Sequence, residues 1–101
     1  MAISTSDVYV GVNDGWTLIS TDPITLTIKP GTFHPWNVAI TAGGAPSNDL
    51  VGVPMGREAH NKLEAFEANN ITGEVYVRIT SPVEPSTSQG AKLRFGVIKD
   101  E

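Results

Sequence analysis

An all-β fold, a small antiparallel β-sandwich or flattened barrel of six to eight short strands, is predicted by three observations on this chain. Apolar and polar residues alternate in several separate runs of five to seven residues, about the length of one strand in a compact domain. Clusters of Gly, Pro, Asn, Asp and Ser punctuate those runs. The stretch from Val8 to Lys29 concentrates both signals, and the rest of the chain is organised around it. Alternation sends successive side chains to opposite faces, so each run reads as a strand with one dry face.

Val8, Val10 and Val12 alternate with Tyr9 and Gly11, and Asn13-Asp14-Gly15 follows. Asn and Asp tolerate left-handed backbone and Gly adopts it freely, so a hairpin into Trp16–Ser20 is expected. After Asp22-Pro23, Ile24, Leu26 and Ile28 alternate with Thr25, Thr27 and Lys29. Residues Met1 to Asp7 are small and polar and read as a loosely held arm, with the domain proper spanning 8–101.

Pro30-Gly31 signals a turn, and Thr32-Phe33-His34-Pro35 an irregular connection. Trp36, Val38 and Ile40 then alternate with Asn37, Ala39 and Thr41 as a fourth strand. Ala42 to Asp49 is loop chemistry throughout. Leu50 to Met55 suits a short strand, which Gly52 and Pro54 confine to an edge or to irregular structure. Arg57 to Ala68 fits two descriptions. Its composition, its Ala59, Leu63 and Phe66 spacing and its Glu58–Lys62 pair suit a helix, whereas its neighbours suit an extended piece at Lys62 to Glu67.

Asn69 to Gly73 is a turn. Val75, Val77 and Ile79 then alternate with Glu74, Tyr76 and Arg78, which places Arg78 on a solvated face. Ser81 to Gly90 carries two prolines and reads as an exposed loop, mobile like the arm. Leu93, Phe95 and Val97 alternate with Lys92, Arg94 and Gly96 in a last strand. The expected core is Val8, Val10, Val12, Trp16, Leu18, Ile24, Leu26, Ile28, Trp36, Val38, Ile40, Val75, Val77, Ile79, Leu93, Phe95 and Val97. Tyr9, Ile19, Val51, Val53 and Ile98 fall off that phase or in irregular segments.

Length bounds this to one domain, because halves of a 101-residue chain are too small for separate cores. The absence of cysteine leaves neither a disulfide framework nor a Cys-based zinc site. A formal charge of −4 argues against a phosphate-binding surface, hence against nucleic acid. No apolar run approaches the ~20 residues of a membrane helix, and the first residues lack the pattern of a signal peptide. The expected place of synthesis is a cytoplasm. Lys99-Asp100-Glu101 is too short a charge run to expect a role of its own.

The search for chemistry yields no catalytic residue, no cofactor site and no metal site. His34 and His60 lie in no nucleophile motif, and no spacing of His with carboxylates suggests metal ligands. Asp14, Asp22 and Asp49 stand beside Gly, Pro or Asn, where Asp serves turns. Glu64 and Glu67 suit a solvated face, Gly43-Gly44 lacks the helix and Lys of a phosphate loop, and Asn70-Ile71-Thr72 matches a glycosylation acceptor by chance. Trp16 and Trp36 alternate in phase with core residues. The competing reading makes them, with Tyr9 and Tyr76, an exposed aromatic line that stacks sugars.

Asn13-Asp14-Gly15-Trp16-Thr17-Leu18-Ile19, Gly56-Arg57-Glu58 and Thr72-Gly73-Glu74-Val75-Tyr76-Val77-Arg78 together resemble small virion proteins of tailed bacteriophages. The pattern spans about Val8 to Ile79. Such proteins tend to carry an early Gly-Trp-Thr strand and a late Thr-Gly-x-Val-Tyr-x-Arg strand. The resemblance implies a non-enzymatic β-sandwich in the virion, a head decoration (cement) protein or a tail or fibre part. It carries over no catalytic residue. Partners expected from it are the major capsid protein or other virion proteins and further copies of the chain, in a trimer matching a three-fold lattice position. The alternative function is a tail- or fibre-associated attachment protein with carbohydrate-binding capacity.

Overall fold

Runs in which β-branched and aromatic side chains alternate with polar ones become strands in the computed structural model, which describes residues 3–11, 14–31, 36–55, 65–79 and 92–101. They are β1 (Ile3–Gly11), β2 (Thr17–Thr21), β3 (Thr25–Pro30), β4 (Trp36–Thr41), β5 (Val53–Met55), β6 (Phe66–Asn69), β7 (Glu74–Ile79) and β8 (Lys92–Asp100). Two four-stranded antiparallel sheets, in the orders β1-β8-β3-β6 and β2-β7-β4-β5, pack together as a small β-sandwich. The fold class expected from the alternation is the one observed. The short, edge-confined strand expected near Pro54 is β5.

Core side chains come from both inner faces. Val10, Leu26, Ile28, Phe95 and Val97 of the first sheet meet Trp36, Val38, Val75, Val77 and Ile79 of the second. Trp36 stands edge-on to Phe95 with ring centroids 5.1 Å apart, a favoured aromatic geometry that ties the two sheets at the centre.

The expected β1–β2 hairpin does not form: the two strands lie in different sheets. Asp14 closes the end of β1 instead. Its carboxylate accepts the Gly11 amide at 2.7 Å and its own amide donates to the Gly11 carbonyl at 3.0 Å. A turn signal fixes where a chain reverses, not which sheet the next strand joins. The arm expected over residues 1–7 is also corrected, since Ile3 to Asp7 continue β1 and pair with Gly96 to Asp100. Their polar side chains are exposed as their composition suggests, but the backbone is held by the ladder.

Six residues expected in the core are placed differently. Register shifts between Leu18 and Ser20 against β7, and this β-bulge turns both Ile19 and Ser20 inward while Leu18 is left 48% exposed. Ile24 belongs to the crossover before β3 and is exposed. Ile40 shares the inner phase of Trp36 and Val38, yet β5 stops at Val53 opposite Val38, so the sheet edge beside Ile40 is open. Trp16, Val8 and Leu93 are half-buried rather than central. Val12 lies outside the described residues, as do the helix-or-strand question at 57–64 and the loop 81–90.

Two crossovers between the sheets run together and brace one end of the sandwich. Asp22, with a positive φ of 48°, donates its amide to the Gly73 carbonyl at 2.7 Å and accepts the Gly73 amide on Oδ1 at 2.7 Å. Beside them, the Asn70 amide donates to Ile24 O and the Ile71 amide to Pro23 O.

The charged triple 99–101, expected to be idle, fastens β8 to the other sheet. Lys99 donates to Ile19 O at 3.1 Å, and Glu101 accepts from Ser20 Oγ at 2.6 Å and from the Thr21 amide at 3.0 Å. These bonds, chiefly the one from Ser20, hold the Glu101 carboxyl below its ordinary pKa. A depressed carboxylate stabilises the fold above its unfolded pKa, and that contribution is lost as pH falls through the folded value. Melting curves taken from about pH 6 to about pH 3 should show a shallower acid loss for Glu101→Gln than for the parent. The difference will be small, because the side chain is 42% exposed and shares its charge with Lys99 and water.

Candidate functional site

Trp16 and Arg78 meet on the outer face of the second sheet. Thr17 pairs with Val77 and both point inward, so the residues beside them point outward together. The Arg78 guanidinium lies 4.4 Å from the centre of the Trp16 ring, a cation–π contact. Two segments that carry the resemblance, Gly15-Trp16-Thr17 and Thr72–Arg78, are thus neighbours in space.

What this pair holds is the loop of residues 42–52. Arg78 donates to the carbonyls of Asn48 at 3.0 Å and Leu50 at 2.8 Å, and Trp16 Nε1 donates to Ser47 O at 3.2 Å. Asn37 donates its side-chain amide to Val51 O. At the loop's start, Glu74 accepts both the Gly44 amide at 2.8 Å and the Tyr76 hydroxyl at 2.6 Å. That bond to Glu74, then burial and the glutamate's charge, keeps the tyrosine pKa above its ordinary value. Gly52 closes the loop at φ 76°, and a Cβ there would come within 2.8 Å of Trp16 Cη2 and Val38 O. Glycine is needed at that position for both reasons.

The loop is braced from the sheet and apolar at its rim. It buries Asn37, Ala39 and Tyr76 on a face that alternation alone assigns to solvent. Toward its end it exposes Leu50 and Val51, which with Ile40 and Val53 form an apolar lip, 43–65% exposed. Behind the lip is an open cleft of about 330 Å³, lined by Val38, Ala39, Ile40, Leu50, Gly52, Val53 and Phe66. Among the described residues no titratable group lines it.

Arg78 is therefore no idle surface charge. Arg78→Ala removes a charged donor from two carbonyls and uncovers Trp16, so it should cost about 2 kcal/mol. Urea titration of parent and variant checks the value, and Trp16 fluorescence should shift to the red at the same time.

The other residues singled out in the sequence do not converge. Asp14 and Asp22 serve turns as expected, Asp49 is exposed in the braced loop, and Glu67 is exposed on β6. His34, His60 and Glu64 lie outside the described residues, as does Gly56-Arg57-Glu58. Gly43-Gly44 contributes an amide to Glu74. Among the described residues no three His, Asp or Glu side chains group as metal ligands. The aromatic line of the sugar-stacking alternative is not assembled. Trp36 and Tyr76 are buried and Arg78 covers a face of Trp16, which leaves Tyr9 exposed at 54% on the other sheet.

No family model, curated protein or solved structure matches this chain. The Arg78 bracing was missed in the sequence because it depends on which strand pairs with β2. The signal available was the pairing of an early Trp with a late Arg on outward positions.

Proposed function

We propose that this chain is a structural protein of a tailed-phage virion, a head decoration (cement) protein that binds the capsid lattice. The observation that carries the reading is the apolar lip of Ile40, Leu50, Val51 and Val53, presented on a loop the sheet holds in place. Exposed apolar residues gathered on one rim mark a protein contact. A pre-shaped loop loses little entropy on docking. The neighbouring placement of the Trp16 and Arg78 motifs supports the resemblance to such virion proteins, because both motifs serve the presentation of this loop.

On this reading the partner is the major capsid protein, and the chain binds without catalysing. Several copies held in one assembly raise avidity beyond any single weak contact, by about 10²–10⁴. The test is addition of purified protein to undecorated heads, with bound and free chain separated by sedimentation. Parent protein should saturate the heads. Val51→Asp should lose at least about tenfold in affinity, equivalent to ~1.4 kcal/mol, while melting with the parent. Its side chain is 65% exposed, and the bond it gives the fold, from Asn37, is made by its carbonyl. Heads that bind neither protein, or both equally, contradict the proposal.

A further inference from the structure

We propose that the chain self-associates through β1, whose outer edge has no strand partner among the described residues and pairs antiparallel with the same edge of a second copy about a two-fold axis at Ser6. The inference does not rest on the virion reading. β1 is nine residues long, lies at the end of its sheet, and contains no Pro, no Lys and a single charge, Asp7. The other three edges each carry a device that discourages strand pairing. β2 is bulged at Leu18–Ser20, β5 has three residues including Pro54, and β6 has four including Glu67. Unprotected length is particular to β1.

Hydrogen bonds at its ends fix which backbone groups are free. Gly11 directs both its amide and its carbonyl to Asp14. Arg94 and Asp100 direct their carbonyls toward β3, accepting from Gly31 and Ile24. The even-numbered residues of β8 therefore face β3, and the odd-numbered ones face β1, where they oppose Ser4, Ser6, Val8 and Val10. Ile3, Thr5, Asp7 and Tyr9 turn their amides and carbonyls outward, away from β8. All four are exposed, whereas Val10 and Gly11 are buried. The accessible edge runs from Ile3 to Tyr9, and its midpoint is Ser6.

Side chains select the same register. Pairing about Ser6 sets Ile3 against the partner's Tyr9 and Thr5 against the partner's Asp7, and each such pair exchanges two backbone hydrogen bonds. Ile3 and Tyr9 are 71% and 54% exposed in one copy, and this register covers each with the other. Pairing about Asp7 would oppose two like charges, and shifts by one residue would mix the two faces. A three-fold ring needs β1 to meet a different edge, and the other edges are only three to five residues long. The second copy is the length-matched occupant.

The chain has no cysteine, so one can be placed at will. At the axis, Ser6 and its counterpart form a non-hydrogen-bonded pair with Cα atoms about 4.5 Å apart, inside the roughly 4.4–6.8 Å window of a disulfide. Under mild oxidation Ser6→Cys should link into a covalent dimer nearly completely. Ser4→Cys, whose copies would lie roughly 13 Å apart, should not. Native mass should show the 10.7 kDa chain passing to twice that mass as concentration rises. Thr5→Pro removes an outward amide without touching the β8 ladder, and should leave a folded monomer. A monomer at every concentration with Ser6→Cys unlinked, a trimer, or linkage of Ser4→Cys as readily as Ser6→Cys would overturn the proposal.

Discussion

Val77→Asp should leave the domain largely unfolded at room temperature. Val77 is fully buried on the inner face of β7, paired with Thr17 on one side and Val38 on the other. Its neighbours in the core are apolar, so an ionised carboxylate there has no partner and protonates or drags in water. Either route costs several kcal/mol, against a total stability of about 5–10 kcal/mol for a domain of this size. Far-UV circular dichroism at 25 °C, or a loss of the cooperative melt, reads the effect. A variant melting within about 2 °C of the parent, well under 1 kcal/mol on the usual scaling, would place Val77 outside the core.

Gly73→Ala should be the most damaging single-methyl change in the described chain. Gly73 sits at φ 132°, a region that L side chains rarely enter, and its added Cβ would lie 2.2 Å from the Thr41 carbonyl oxygen. Neither backbone can yield cheaply. Gly73 is bonded twice to Asp22, and Thr41 is in register with Glu74 beside it. Strain of this kind costs about 1–3 kcal/mol, and displacing the Asp22 bonds adds about 1 kcal/mol for each. The midpoint of urea unfolding should fall accordingly. Gly43→Ala is the control, since nothing lies near a Cβ there. Equal midpoints for the two variants would mean that the crossovers are not braced as described.

Most strands were legible because alternation is a local property. The Val75–Ile79 run buries Val75, Val77 and Ile79, and the last strand buries Phe95 and Val97, as their phase selects. What local pattern does not carry is which strands become neighbours. Asn13-Asp14-Gly15 marks a reversal equally well for a hairpin and for a crossing between sheets. The bulge in β2 exchanges Leu18 for Ile19, and nothing in Thr-Leu-Ile-Ser announces an extra residue in the ladder. Asn37 and Ala39 are buried by a loop whose Val51 lies 14 residues beyond Asn37, pinned by an arginine 28 and 30 residues from the carbonyls it holds. The braced loop was hidden for the same reason. Alternation gave Arg78 its correct outward direction, but its partners Trp16, Asn48 and Leu50 are assembled only by the pairing of β2 with β7.

Self-pairing through β1 and docking through the 42–52 lip use different parts of the sandwich, so a dimer leaves both lips free. Two lips on one rigid body suit a role between neighbouring subunits of a lattice. The most direct measurement of the proposed virion role is the copy number of this chain in purified tailed-phage particles from cells that make it, set against the major capsid protein by quantitative mass spectrometry. Decoration of the head predicts hundreds of copies in a fixed ratio to the capsid subunits. A handful of copies per particle, or none, would contradict it.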